Sequence, residues 1–223
     1  LFMARMARAD GTKTIVATPH VHRGKYDNAW PDIQKSAEKL RHALKEAEID
    51  IEISAGGEIR YWPGLMGALK KGTMPLYNQG GSERYILLEL SHGSLPAGAL
   101  YGVEMICRAG YRPIIAHPER ITSFKRQPRN YAPLAEMGCL AQITTASLTG
   151  GFGSGARKAA ASFMEMGWVH VLASDGHGFY RRQPVLADGE REAARIVGEK
   201  RARAMVEDHP QAILKGERVS WSV

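Results

Sequence analysis

The side chains able to bind cations or move protons are not scattered evenly along this chain, because they follow short apolar runs. His20 comes directly after "TKTIVATP" and Glu58 just after "DIEISAG"; Glu89 closes "RYILLE", His117 closes "RPIIAH", and Asp175 closes "VHVLASD" with His177 two residues on. Each has a plainer reading when taken singly. A histidine after a strand is commonly a loop residue, an aspartate there caps the next helix, and a glutamate such as Glu58 is often simply exposed. Together they form a pattern, since imidazoles and carboxylates are the donors that first-row divalent cations accept. Arg120 stands three residues past His117 in "AHPER", and Arg182 lies in "HGFYRRQP". Guanidinium forks bind oxyanions through paired hydrogen bonds. Cations that activate water, set beside arginines that hold oxygens, are suited to phosphoester hydrolysis.

Such residues converge only if the elements between them bring the run ends to one place. The six runs, including "CLAQITT", are nearly continuous in apolar character, as expected of parallel strands covered on both faces. Between them lie stretches of helical period such as "WPDIQKSAEKLRHALKEAE", "GALYGVEMICRAG" and "GARKAAASFMEMG", the last two closed by glycines that suit helix C-termini. Alternating strands and helices predict a parallel α/β sheet, open or closed into a barrel, with ligand-binding groups at the C-terminal strand ends. The opening "LFMARMARADG" reads as a helix ending at Gly11, and the absence of an initiator methionine there leads to the expectation of missing upstream sequence.

At 223 residues the chain suits one domain, 1–223. It is 44% hydrophobic and 24% charged, and no apolar run reaches the roughly 18 residues of a membrane span. Direct membrane insertion is therefore not expected. The formal net charge of +7 favours anionic partners. Its basic residues are interleaved with acids, as in "EREAARIVGEKRARAMVED", which reads as a solvated helix face, so nucleic acid is not expected as a partner. Two cysteines give no disulfide framework, and the cytoplasm is the expected compartment. Cysteine-dependent phosphatase chemistry needs a cysteine, five intervening residues and an arginine. Pro113 stands where Cys107 would require the arginine, and none follows Cys139 in "LAQITT", so both read as packing residues. The glycine-rich "TGGFGSGARKAA" lacks the lysine and hydroxyl of a P-loop and reads as a flexible connection or, less simply, a ligand contact. His22 and His92 are extra histidines near the predicted rim, read as loop residues or substrate contacts.

Several blocks, "TKTIVATPHVHRGKYDN", "GGEIRYWPGL", "YILLELS", "PIIAHPER", "MGCLAQITTASLTGGFG" and "VHVLASDGHG", resemble the CpsB/CapC-like manganese-dependent protein-tyrosine phosphatases. These bacterial enzymes of capsule and exopolysaccharide biosynthesis belong to the polymerase-and-histidinol-phosphatase (PHP) superfamily. The resemblance implies a distorted (β/α)7 TIM-like barrel of the PHP type, its first strand, carrying a His-x-His pair, lying upstream of this sequence. It implies metal-ligand roles for His20, Glu58, Glu89, His117, Asp175 and His177, phosphate contacts for Arg120 and Arg182, and a pocket-lining role for Gln142. Two or three divalent ions are implied, manganese first, with iron, cobalt or zinc compatible with the same donors. The implied substrate is a phosphotyrosine protein, the cognate bacterial tyrosine kinase that controls polysaccharide export. The alternatives are another PHP phosphoesterase acting on small molecules or nucleic acid, or an inactive scaffold docking on that kinase.

Overall fold

Every apolar run becomes a strand in the computed structural model, which describes residues 1–77 and 80–219. After the helix α1 (Phe2–Ala9), the first run forms β1 (Thr14–Ala17), which breaks at Thr18 and Pro19 and resumes as β2 (His20–Val21). The helix α2 (Trp30–Glu46) then leads into β3 (Glu52–Ala55), which breaks at Gly56 and Gly57 and resumes as β4 (Glu58–Arg60). Next come α3 (Leu65–Lys70), β5 (Arg84–Glu89), α4 (Ala99–Arg108) and β6 (Tyr111–Ala116). Short helices α5 (Thr122–Arg126) and α6 (Ala132–Glu136) precede β7 (Leu140–Thr144); α7 (Thr145–Leu148) and α8 (Gly153–Glu165) precede β8 (Val169–Ala173). The chain continues through α9 (Ala187–Val197), α10 (Glu199–Val206) and α11 (Asp208–Lys215).

All the ladders are parallel, and neighbours follow chain order: β1 pairs with β3, and a second sheet runs β2-β4-β5-β6-β7-β8. Alternation along β5 shows why its run is unbroken in apolar character. Ile86 and Leu88 enter the main core beneath the helices, while Tyr85 and Leu87 join Ile114, Ala116 and Leu140 on the other face. That second face is covered by Ile213 of α11, by Val219 and by Tyr77. Side chains two apart share a face, so Glu89 belongs to the Tyr85 and Leu87 side, at the C-terminal end of the strand. A smaller core joins Ala4 and Ala7 of α1, Ala37 and Leu44 of α2, and Ile51 and Ile53 around β3.

The expected closed (β/α)7 barrel is not found among the described residues: β2 and β8 lie at opposite ends of the strand order and share no ladder. The observed architecture is a mixed α/β fold built on mostly parallel sheet. Parallel sheets coil as they twist, and here the coiling carries the two edges toward each other, the rings of His20 and His177 coming within 6.0 Å. The segment expected to be one solvated helix face is instead two helices parted at Gly198 (φ +85°), and it buries Ala193, Ala202 and Met205. Among the described residues no helix is long and apolar enough to cross a membrane. Cys139 is buried as expected, but Cys107 is only half-buried; both are free thiols, and their sulfurs lie 3.9 Å apart. Each precedes a strand (β6 and β7), so both lie at the N-terminal pole, away from the rim.

Candidate active site

Register delivers the polar residues to one rim. His20 pairs with Glu58 across β2 and β4, Arg60 pairs with Glu89 across β4 and β5, and Ala116 pairs with Gln142 across β6 and β7. His117 follows β6 directly, and its N–H donates to the Gln142 carbonyl at 2.8 Å. Asp175 and His177 follow β8. The backbone is strained in this region. His117 (φ +35°), Asp175 (φ +49°) and Arg182 (φ +53°) are three of the four non-glycine residues at positive φ among the described residues. Such conformations cost on the order of 1–3 kcal/mol each and gather at functional sites.

Glu58, Glu89 and His117 are buried here. Glu58 Oε1 lies 3.3 Å from His117 Nε2 and 3.4 Å from His20 Nδ1. Burial alone would push the Glu58 carboxyl up, but the hydrogen bond and charge of His117, with the charges of His20 and Arg120, bring it below its ordinary pKa. For His117, burial favours the neutral ring, and the Glu58 hydrogen bond and charge overcome it, raising the pKa. Glu89 Oε1 is 3.0 Å from Arg60 Nη1 and 3.6 Å from His92 Nδ1. Donor atoms of His20, Glu58 and Glu89 lie within 4.8 Å of one another, as do those of Glu89, His92 and His117.

These donors fit divalent cations. They are mixed imidazole and carboxylate, two sets share Glu89 as a bridging carboxylate would require, and His117 Nδ1 is buried without a hydrogen-bond partner. Asp175 and His177 fall outside both sets. Asp175 Oδ2 accepts from Arg120 Nη1 at 2.6 Å and also from Arg182 Nη2. His177 Nδ1 is 2.9 Å from the Asp175 carbonyl oxygen. Two guanidiniums thus converge on one anionic oxygen, and both stack against Phe152, at 4.4 Å for Arg120 and 5.8 Å for Arg182.

All eight residues singled out from the sequence are therefore at or beside this rim, and Gln142 reaches it through its main chain. The strand-end pattern missed Arg60, which closes the short β4 but lies beyond the glycine pair where the apolar run stops, and Phe152, which the glycine-rich reading of its loop obscured. His22 contributes main-chain bonds to a small turn closed on Tyr26.

A coiled parallel sheet with mixed metal donors and convergent arginines at its C-terminal rim defines a class, the metal-assisted phosphoesterases of α/β fold. Comparison narrows it: residues 1–215 match the family described as capsular polysaccharide synthesis, CpsB/CapC, and the chain belongs to that family. It is 33% identical over 183 residues to the tyrosine-protein phosphatase YwqE of Bacillus subtilis (strain 168), covering 81% of this chain and 70% of the relative. It is 30% identical over 214 residues to the tyrosine-protein phosphatase CpsB of Streptococcus pneumoniae, covering 94% and 87%. A solved structure from work on YwqE and CpsB, described as unique metal-dependent tyrosine phosphatases, superposes with a TM-score of 0.88 at 27% identity, covering 98% of this chain and 87% of the other.

Proposed function

We propose that the protein is a metal-dependent phosphotyrosine phosphatase, a phosphoric monoester hydrolase working at this rim. The observation that carries the reading is the juxtaposition of two metal-suited donor sets sharing Glu89 with two arginines meeting at one oxygen. His20, Glu58, Glu89 and His117 hold divalent cations, manganese first, with Asp175 and His177 contributing from the loop after β8. When bound, such cations activate water and offset the charge that gathers on the phosphoryl oxygens. Arg120 and Arg182 bind the non-bridging oxygens and orient phosphorus for in-line attack. Phe152 supports both guanidiniums from beneath. A phenol has a pKa near 10, so a tyrosyl leaving group needs less protonation than an alkyl alcohol.

The relatives named tyrosine-protein phosphatases support this substrate class. The family's description, capsular polysaccharide synthesis, supports a role in that process, and within this proposal the physiological phosphoprotein is the cognate bacterial tyrosine kinase and the compartment is the cytoplasm. The barrel reading belongs to the same proposal: one more parallel strand between the free edges of β1-β2 and β8 would complete a (β/α)7 barrel of PHP type.

The test is turnover by the purified chain supplied with Mn²⁺. Hydrolysis of p-nitrophenyl phosphate and a phosphotyrosine peptide, but not of histidinol phosphate or single-stranded DNA, is expected. A chelator should abolish it and thiol alkylation should leave it intact. Activity that survives chelation would overturn the reading.

A further inference from the structure

His92, in the loop after β5, enters the rim from a side that the strand ends do not cover. Its ring lies 5.0 Å from that of His117 and nearly parallel to it, at 17°. Its Nδ1 is 3.6 Å from Glu89 Oε1, and donor atoms of Glu89, His92 and His117 fall within 4.8 Å of one another. A second observation is independent of that proximity. Each of the two stacked rings has a buried nitrogen without a hydrogen-bond partner, Nε2 of His92 and Nδ1 of His117. Buried polar atoms are nearly always satisfied, and an imidazole nitrogen that meets no protein partner is free to meet a cation. The loop is also held in place, since the His92 carbonyl accepts from the Thr122 N–H at 2.8 Å, just past the turn that carries Arg120.

We propose that His92 is a further metal ligand of this chain, forming with Glu89 and His117 a second donor set that shares Glu89 with the set of His20, Glu58 and Glu89. This rests on the metal-dependent reading above. The His92 side chain is 42% exposed where that of Glu89 is 8%, so the second set opens to solvent on the His92 side.

The test compares wild type, His92→Ala and His92→Phe, each stripped with chelator and titrated with Mn²⁺ and Co²⁺ alone. Calorimetry reads affinity and stoichiometry, and visible absorption reads the Co²⁺ ligand field. Phenylalanine keeps a ring to stack on His117 but offers no nitrogen. Both variants should lose affinity by about tenfold or more at one class of site and alter the Co²⁺ bands. A His92→Phe protein with wild-type affinity and spectrum would show that the ring only packs, and would overturn the proposal while sparing the enzyme reading. Wild type that binds no cation would overturn both. Should the alanine variant fold poorly in chelator, as read by circular dichroism, the phenylalanine variant decides.

Discussion

Asp175 concentrates several demands on one residue. Its backbone sits at φ +49° and its carboxylate is shared by Arg120 and Arg182. Aspartate and asparagine tolerate the left-handed region better than most residues. Asp175→Asn should therefore keep the fold, with a melting temperature within a few degrees of wild type. The same change removes the charge that organises both guanidiniums, and turnover should fall by about 10²-fold or more. Steady-state kinetics beside a thermal melt would separate the two effects. Glu119 raises a different question. Fully buried between the site turn and α7, it accepts from Ser147 Oγ at 2.6 Å and the Thr144 N–H at 3.2 Å through Oε1, while Oε2 has no partner. Burial holds its pKa above the ordinary carboxylate value despite the charge of His117 and those bonds. The folded state therefore binds the proton more tightly than the unfolded chain. Stability from this group is fully present below the unfolded pKa and declines as pH rises through the raised value. Glu119→Gln removes that decline. Relative to wild type it should gain stability as pH rises above the unfolded carboxylate pKa, by about 1.4 kcal/mol for each pH unit between the unfolded and the folded pKa. Urea unfolding in chelator at several pH values checks the slope. These roles differ in how legible they are from sequence. Asp175 ends an apolar run and could be read directly, whereas Glu119 stands between His117 and Arg120 with nothing in the sequence to mark its burial, and its importance comes from Thr144 and Ser147, which only the fold brings near.

At the scale of elements, the breaks in the first two strand pairs set the height of the site. Gly56 and Gly57 separate β3 from β4, and a Cβ on Gly57 would meet Pro75 Cγ at 2.5 Å and Val21 Cγ2 at 3.2 Å. Proline cannot swing away, so the backbone would have to move, and Glu58 is the next residue. Gly57→Ala should cost about 1–3 kcal/mol by overpacking, read as a shifted denaturation midpoint. It should also weaken Mn²⁺ binding through the displaced Glu58 carboxylate, a loss that calorimetry would register. The sequence made the six strands visible because strands buried on both faces must be apolar at successive positions. It did not show that the first two would break and re-pair as β2 with β4, because a glycine pair reads equally well as a turn. The parting of α9 from α10 was hidden for a related reason. Gly198 interrupts a run whose charges look uniformly solvated, while the alanines that pack inward carry little weight in any pattern of hydropathy.

Across the whole molecule, groups from residue 20 to residue 182 meet at one pole, and parallel topology made that convergence readable in advance. The relation of the sheet's two edges was not readable, since it depends on coiling and on contacts between the beginning and the later part of the chain. One such contact is specific. Asp10, at the end of α1, accepts through Oδ2 from the N–H groups of Leu186 at 2.6 Å and Ala187 at 3.2 Å. Those donors open α9 and have no partner within the helix. The carboxylate also meets the positive end of the helix dipole, so a residue near one terminus caps a helix 176 positions away. The Phe2 ring meets that of Phe179 at 5.6 Å in a tilted contact, adding an apolar tie to the same loop. That loop carries His177 and Arg182, which links its order to the grip on phosphate. Asp10→Ala should lower stability by about 0.5–2 kcal/mol, the usual cost of losing a cap, and should raise KM for a phosphotyrosine peptide more than it lowers kcat. Asp10→Asn retains an acceptor oxygen and should recover most of both. If KM stays at the wild-type value in the alanine variant while stability drops, the cap holds the helix without ordering the arginine, and the edges of the sheet are independent of catalysis.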